Sequence, residues 1–414
     1  MMLMKKTTWA LIGILLITIL LSGCIESNKI VTSESENLTI GALLPLTGSV
    51  ASIGEASRVA LEVSAEDING YYSGLGSGKN VKLILRDTKS NPETALEQLK
   101  ELDKMGLKIV VGPQGSTEAA AVLDYANQHG IVLLSTASTA SALAIPDDNL
   151  YRLVPDDSKQ GLVLARLMRD EGINTVIPMY RNDVWGKGLA SEVEKNYKAI
   201  NGTVLEGVSY ETTNKNLSAE VEVLNKKVIA ATSEHAKGSV AVLLCSYVEA
   251  TEIFALARNY PALSEVKWYG NDGIALNREL INDKSAASFA VAANVTAPIY
   301  GYVGENDLYQ VTGPKIEKRL GRIPESYALT SYDALWIATF VHLDAVPDND
   351  KSIKIAMDTL TDTYYGISGW TILNDQGDRK YWDYDIWKVT GEDGTYRWEK
   401  EKSASMRGEK LIFS

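Results

Sequence analysis

Three loops that follow predicted strands carry the side chains best suited to bind a small polar molecule. The first, Gly112-Pro113-Gln114-Gly115-Ser116-Thr117, leads from a predicted buried strand over residues 108–111 into a predicted helix over 117–129. Glycine lets a backbone approach a ligand closely, and the hydroxyls of Ser116 and Thr117 lie beside free N–H groups at the helix start. This combination suits a carboxylate, although the same hydroxyls are also typical of an ordinary helix N-cap.

Two further loops add hydroxyl and acidic side chains. The predicted strand over residues 131–134 leads into Ser135-Thr136-Ala137-Ser138-Thr139-Ala140-Ser141, where five of seven residues carry hydroxyls that can donate or accept hydrogen bonds. The predicted strand over 266–269 ends in Gly270-Asn271-Asp272-Gly273, and the carboxylate of Asp272 suits an ammonium group. A capping turn and an Asp-Gly turn are the structural alternatives.

The elements that must position these loops alternate between strand and helix. Short apolar runs and helical patterns follow one another from residue 38, and the alternation restarts at residue 158. In the predicted helix over residues 54–69, Ala56, Val59, Ala60 and Val63 share one face. Such alternation predicts an α/β protein with two doubly wound parallel-sheet lobes, whose ligands bind beyond the carboxyl ends of the strands. Aromatic residues and turn signals over 365–398 predict antiparallel strands at the end of the chain.

The first residues are typical of an export signal. Lys5 and Lys6 precede an apolar run over residues 7–21, which ends in Leu21-Ser22-Gly23-Cys24. This ending resembles the lipobox of prokaryotic lipoproteins, in which the cysteine carries the lipid. We therefore expect a signal peptide over 1–23, a lipid on Cys24 and a flexible tether over 24–37; an ordinary signal or a plain membrane anchor is the alternative.

Composition and motifs argue against several other classes of protein. The formal net charge of -12 repels phosphate backbones, so we expect no nucleic-acid partner. Two cysteines exclude a disulfide framework. The three histidines, His129, His235 and His342, are scattered, and no spacing typical of a metal site, a phosphate loop or a catalytic triad is present. The sequence therefore predicts no catalytic residue, no metal site and no cofactor.

Several short motifs, in order and at matching spacing over about residues 38–400, resemble the extracellular solute-binding proteins of branched-chain amino acid ABC transporters. They are Ile40-Gly41-Ala42-Leu43-Leu44-Pro45-Leu46-Thr47-Gly48, Glu66-Asp67-Ile68-Asn69, Val111-Gly112-Pro113, Trp185-Gly186-Lys187-Gly188 and Tyr332-Asp333-Ala334, together with Gly54 and Asp87. The resemblance implies the type I periplasmic binding fold, with an N-lobe over 38–154 plus 295–372 and a C-lobe over 155–294 plus 373–414. It places the three chain crossings between the lobes near 154–155, 295–298 and 371–374.

The same resemblance implies a role for individual residues. Ser116 matches a serine that binds the ligand carboxylate, and Ala137 and Thr139 match groups that hold the carboxylate and the ammonium. Asp272 matches an acidic position that pairs with the ammonium and is a glutamate in the leucine/isoleucine/valine binder. The rest of the predicted ligand-binding set comprises two aromatic residues of the C-lobe, an aliphatic residue at a position that is commonly aromatic, and two residues of the polar loops: Trp185, Tyr247, Ile53, Gln114 and Ser138. Packing between the lobes is the alternative role for Trp185 and Tyr247.

The function that this resemblance implies is capture of a free amino acid, branched-chain or otherwise aliphatic, by closure of the two lobes. The protein would be held by its lipid on the extracellular face of the membrane and would deliver the ligand to the membrane permease of an ABC importer. A ligand-sensing receptor subunit and a binder of amides, urea or aromatic acids are the alternatives, and an extracellular enzyme is the least favoured.

Overall fold

The computed structural model describes residues 36–214, 216–301, 306–346, 349–392, 394–407 and 410–414. The predicted signal peptide (1–23), Cys24 and the predicted tether as far as residue 35 lie outside the described residues. The first strand begins at Glu36, so residues 36 and 37 belong to that strand and not to the tether. Within the described ranges, no helix combines the length and the apolar character needed to cross a membrane.

The described residues form two large sheets and the helices around them. The strands are β1 (Glu36–Leu44), β2 (Lys79–Asp87), β3 (Ile109–Val111), β4 (Val132–Ser135), β5 (Leu150–Arg152), β6 (Thr175–Arg181), β7 (Thr203–Val204), β8 (Val208–Tyr210), β9 (Val240–Cys245), β10 (Lys267–Tyr269), β11 (Thr296–Tyr300), β12 (Tyr365–Gly366), β13 (Gly369–Trp370), β14 (Asp383–Glu392), β15 (Thr395–Arg407) and β16 (Lys410–Phe413). The α-helices are α1 (Ala51–Gly74), α2 (Pro92–Lys104), α3 (Ser116–His129), α4 (Asp157–Asp170), α5 (Val184–Ala199), α6 (Ser218–Glu234), α7 (Glu249–Ala257), α8 (Pro261–Ser264), α9 (Arg278–Asn282), α10 (Lys284–Ala292), α11 (Asp307–Leu320), α12 (Ser326–Asp344) and α13 (Asp350–Thr361).

The first sheet has the order β2-β1-β3-β4-β5, and all of its strands are parallel. Alternate residues of β1 enter different cores. Ile40 and Leu44 pack in the core that includes Leu335 of α12, whereas Leu43 packs with Leu99 of α2. Because successive side chains of a strand point to opposite faces, this sheet is covered by helices on both sides.

The second sheet has the order β16-β15-β14-β11-β10-β9-β6-β7, and β8 also pairs with β6. Strands β6, β9, β10 and β11 are parallel, and β14 to β16 extend the sheet as antiparallel strands. Every residue of β9 is buried, as expected for a central parallel strand between two helical layers. The predicted α/β class with two doubly wound parallel sheets is confirmed, and β14 and β15 are antiparallel as expected for the end of the chain.

Local signals set the start of helix α2 as the sequence suggests. Asn91 has an extended backbone, and its side-chain oxygen accepts a hydrogen bond from the N–H of Thr94 at 2.7 Å. Pro92 occupies the first helical turn, where a missing N–H costs no hydrogen bond. Helix α2 therefore begins directly after strand β2 and packs on one face of the first sheet.

Two of the three predicted crossings lie elsewhere in the chain. The second was predicted near 295–298, but Thr296–Tyr300 is strand β11, which pairs with β10 and β14 in the second sheet. The chain returns to the first lobe only afterwards, where the Asn306 side-chain N–H donates to the carbonyls of Gly366 at 2.8 Å and Ile367 at 3.1 Å. The predicted position was wrong because strand pairing decides which sheet β11 joins, and an apolar extended run in the sequence does not show that pairing.

The third crossing was predicted near 371–374, but the chain stays with the first sheet for several more residues. The N–H of Arg152 in β5 donates to the carbonyl of Gly377 at 2.8 Å, and the N–H of Arg379 donates to the carbonyl of Arg152 at 3.0 Å. A fully buried ion pair joins the Arg152 guanidinium to Asp378. The crossing therefore falls between Lys380 and the start of β14 at Asp383. The first crossing falls between β5 and α4, around the predicted position.

Candidate functional site

A narrow cavity that opens to solvent lies between the two sheets, at the carboxyl ends of their strands; its unoccupied space, open solvent included, is about 300 Å³. Six of the predicted ligand-binding residues line it: Ile53, Gln114, Ala137, Trp185, Tyr247 and Asp272. Val50, Gly115, Gly273 and Tyr327 complete the lining. The fold thus brings residues of α1 and of the loops after β3, β4, β9 and β10 to one place, as strand-end loops in open α/β sheets do.

The first polar loop turns sharply at Gly112. Its φ angle is +98°, and a Cβ atom there would lie 2.2 Å from the Leu43 carbonyl oxygen, so only glycine fits. The turn brings Ser116 to the first position of α3, next to the second polar loop. The N–H groups of Thr139 and Ala140 donate to the Ser116 hydroxyl oxygen at 3.2 Å each, and the Ser138 hydroxyl lies 3.1 Å from it.

This network places three predicted ligand-binding residues directly behind the cavity wall. Ser116, Ser138 and Thr139 are all buried, and none of them is among the residues lining the cavity. Their hydrogen bonds join the loop after β3 to the loop after β4, so they fix the shape of the wall whether or not they touch a ligand. Ala137 of the same loop does line the cavity.

Gln114 offers an unpaired acceptor at the cavity. Its side-chain N–H donates to the hydroxyls of Ser57, at 2.5 Å, and of Thr136, at 3.1 Å. Its side-chain carbonyl oxygen is buried and has no hydrogen-bond partner. Because an unsatisfied buried polar group is costly, a ligand that donates a hydrogen bond to this oxygen gains binding free energy.

Two stacked aromatic rings form the wall contributed by the second lobe. Trp185 and Tyr247 stack with ring centroids 4.2 Å apart, and the guanidinium of Arg181 lies 4.5 Å from the Tyr247 centroid. The Trp185 indole N–H donates to the Thr139 hydroxyl oxygen at 3.1 Å, which joins the two lobes. A Cβ atom on Gly273 would lie 2.3 Å from the Tyr247 ring, so glycine is needed there to admit the ring.

Asp272, from the loop after β10 in the second sheet, lines the cavity and is 5% exposed. Its Oδ1 accepts hydrogen bonds from the Gly273 N–H at 3.0 Å and from the Asn271 side chain at 3.1 Å. Its backbone N–H donates to the side-chain oxygen of Gln160 at 3.1 Å, and its Oδ2 accepts from the Tyr327 hydroxyl. Both carboxylate oxygens are thus held by hydrogen bonds at a residue that lines the cavity.

A second buried acidic side chain, Asp157, lies in the same region. Asp157 is fully buried at the start of α4, and its N–H donates to the Thr139 carbonyl at 2.7 Å. Burial raises the pKa of the Asp157 carboxyl well above its usual range, and the charge of Asp272 raises it further. The guanidinium of Arg152 opposes this effect, but it is already paired with Asp378. The neutral form of the Asp157 carboxyl is therefore favoured, and Asp272 is the acidic side chain that lines the cavity.

Two residues of the site carry no pattern that marks them in the sequence. Tyr327 begins the apolar stretch of α12, and Asp157 stands among the acidic residues that start α4. Tyr327 acts through a hydrogen bond to Asp272, which is 55 residues away in the sequence, and the effect of Asp157 depends on its complete burial. Among the described residues, no group of histidine, cysteine and acidic side chains has the arrangement of a metal site.

The sequence of this chain matches a family model along most of its length. The model describes the receptor family ligand binding region and matches residues 56–392. The chain belongs to this family. Its family and fold are those of solute-binding proteins and not of enzymes, which confirms the resemblance inferred from the motifs.

Curated relatives extend this result. An uncharacterized protein of Methanocaldococcus jannaschii is 28% identical over 406 residues, which cover 92% of this chain and 94% of the relative. The Leu/Ile/Val-binding protein homolog 3 of Brucella melitensis is 26% identical over 268 residues, which cover 62% of this chain and 70% of the relative.

Solved structures show the same fold at low sequence identity. The leucine binding protein of Thermotoga maritima has a TM-score of 0.70 at 17% identity and covers 87% of this chain and 97% of its own. The branched-chain amino acid transporter substrate binding protein of Streptococcus pneumoniae, in complex with isoleucine, has a TM-score of 0.69 at 19% identity and covers 88% and 99%. A solute binding protein of an ABC transporter from R. palustris, in complex with benzoate, has a TM-score of 0.69 at 17% identity and covers 88% and 96%. These likenesses establish the type I periplasmic binding fold.

Proposed function

We propose that this protein captures a free aliphatic amino acid, branched-chain or similar, between its two lobes. The observation that carries the proposal is that the hydroxyl loops of the first lobe and Asp272 of the second lobe meet at one cavity with apolar walls. We assign the carboxylate end of the site to these loops and the N-terminus of α3: Ala137 lines the cavity, and Ser116, Ser138 and Thr139 are buried directly behind it. Asp272 forms the ammonium end.

Splitting the two charges of the ligand between the lobes couples binding to closure. A ligand shifts a conformational equilibrium only by the difference between its affinities for the two states. A zwitterion that reaches both ends makes its full set of contacts only in the closed state, so it stabilises that state. Ile53, Trp185 and Tyr247 then surround the side chain of the ligand with apolar surface.

The proposal also covers the location of the protein and the partner that receives the ligand. The protein is exported, carries a lipid on Cys24 and stays on the extracellular face of the membrane, where it passes the amino acid to the permease of an ABC transporter. The N-terminal motif of residues 1–24 supports the anchor, and the similarity to transporter binding proteins from S. pneumoniae and R. palustris supports transport. The N-lobe comprises the first sheet and the helices packed on it, and the C-lobe comprises the second sheet.

A thermal-shift screen of the purified protein tests the proposal. Leucine, isoleucine and valine at about 100 times their dissociation constants should stabilise the fold by about 2.7 kcal/mol, or roughly 3 °C in melting temperature. Acetamide, urea and benzoate should give smaller shifts, because they lack an ammonium group to pair with Asp272. Stabilisation by benzoate and not by any amino acid would instead assign the site to aromatic acids, which the neighbour from R. palustris binds.

A further inference from the structure

One contact joins the acidic end of the cavity directly to the first lobe. The hydroxyl of Tyr327, in the first turn of α12, donates a hydrogen bond to Oδ2 of Asp272, and both side chains are buried. The other donors to this carboxylate, Gly273 and Asn271, belong to the same loop as Asp272. Tyr327 is therefore the donor that reaches Asp272 from the opposite lobe, and this hydrogen bond requires the lobes to be together.

Tyr327 is itself fixed by the polar loops of the first lobe. Its backbone carbonyl accepts hydrogen bonds from the hydroxyls of Ser331, at 2.7 Å, and Thr330, at 3.0 Å. The Ser331 hydroxyl also lies 3.0 Å from the Thr136 hydroxyl, to which Gln114 donates. A continuous buried network thus runs from the hydroxyl loops to Tyr327 and across to Asp272. Buried networks whose members satisfy one another hold their side chains in one arrangement.

We propose that Tyr327 is a positioning residue of the binding site, which orients the Asp272 carboxylate and latches the two lobes. This inference rests on the proposed function. When the lobes close, the Tyr327 hydroxyl donates to Oδ2 of Asp272 and so orients the carboxylate for contact with the ammonium of the ligand. When the lobes separate, Asp272 loses this donor. Orientation of the ammonium site and closure of the lobes are therefore one event.

The test compares two tyrosine variants on the same helix. Tyr327→Phe removes the hydroxyl that crosses the cavity and keeps the ring. Tyr332→Phe is the matched control, because the Tyr332 hydroxyl donates to the carboxylate of Asp67 at 3.1 Å within the first lobe. Calorimetry with leucine should show about tenfold weaker binding for Tyr327→Phe, in line with the loss of a hydrogen bond to a charged group. The control should change affinity less than twofold.

A double-mutant cycle separates positioning from general damage to the fold. If Tyr327 acts through Asp272, Tyr327→Phe on the Asp272→Asn background should weaken binding less than threefold, because the charge that it orients is gone. Equal losses on both backgrounds would overturn the inference. Tyr327→Met, which also lacks the hydroxyl, should repeat the loss, and circular dichroism verifies that each variant is folded.

A second readout keeps this inference separate from the proposed function. The distance between the lobes is followed by energy transfer between two dyes, with and without saturating leucine. Tyr327→Phe should shift the protein towards the open state, whereas Tyr332→Phe should not. If the wild type binds no amino acid, the proposed function fails, and the energy-transfer distances without ligand still test the latch. If leucine binds but both tyrosine variants behave alike, the latch fails and the proposed function stands.

Discussion

Replacing Asp272 by asparagine tests the ammonium site with little change in shape. The asparagine carbonyl can still accept from the Gly273 N–H, so the loop after β10 keeps its local hydrogen bond. What disappears is the negative charge of a side chain that is 5% exposed and lines the cavity. A hydrogen bond to a charged group is worth about 1.5–3 kcal/mol, so amino-acid affinity should fall about 10- to 150-fold.

The assay is isothermal calorimetry with leucine, and Asp385→Asn is the matched control. Asp385 is a buried carboxylate of the same lobe, and it pairs with Lys400 at 2.6 Å and accepts from the Ser403 hydroxyl at 2.8 Å, outside the cavity lining. The control should bind leucine within twofold of the wild type. Unchanged affinity in Asp272→Asn, or an equal loss in both variants, would refute the assignment of Asp272 to the ammonium.

Two further predictions concern a wall of the cavity and the helix beside it. Trp185→Phe keeps the stack on Tyr247 but loses the hydrogen bond to Thr139, so leucine affinity should fall about three- to tenfold. The change in protein fluorescence on adding leucine should also become smaller. If that change is the same as in the wild type, Trp185 does not contact the ligand. Glu118, buried in the first turn of α3, has a pKa that burial raises to about 7. The folded state therefore holds this proton more tightly than the unfolded state, and the resulting stability is full below about pH 4.5 and is lost as the pH rises through 7. Glu118→Gln should abolish that part of the pH dependence, worth at most about 3 kcal/mol, and denaturant unfolding at pH 5 and pH 8 measures it; an unaltered pH profile would contradict the shift.

Patterns local in the sequence predicted most of the scaffold. Alternation of apolar runs with helical faces predicted most of the parallel strands of both sheets but not β5, and the Asn91-Pro92 pair marked the start of α2 through interactions within four residues. The polar loops were found for a similar reason, since a loop that joins a strand to a helix has a known place at the edge of a sheet. Six of the predicted site residues accordingly line the cavity.

Contacts distant in the sequence account for what the patterns missed. Whether residues 296–300 join the first or the second sheet depends on pairing with β10 and β14, and the position of 377–379 depends on hydrogen bonds to β5. In the sequence, Tyr327 looks like any other aromatic residue of a buried helix, and only the fold shows that its hydroxyl donates to Asp272. The sequence also does not show the direction in which a side chain points. Ser116 and Ser138 could therefore be predicted as polar loop residues but not as hydrogen-bond partners of each other.

The central claim is that the two charged ends of one small ligand are held by separate lobes. Calorimetry with leucine, 3-methylbutylamine and 4-methylpentanoate measures this most directly, because each analogue keeps the aliphatic chain and only one charged group. Both analogues should bind at least 100-fold more weakly than leucine, and Asp272→Asn should weaken the amine further but leave the acid nearly unchanged. If either analogue bound as tightly as leucine, the division of the two charges between the lobes would be wrong.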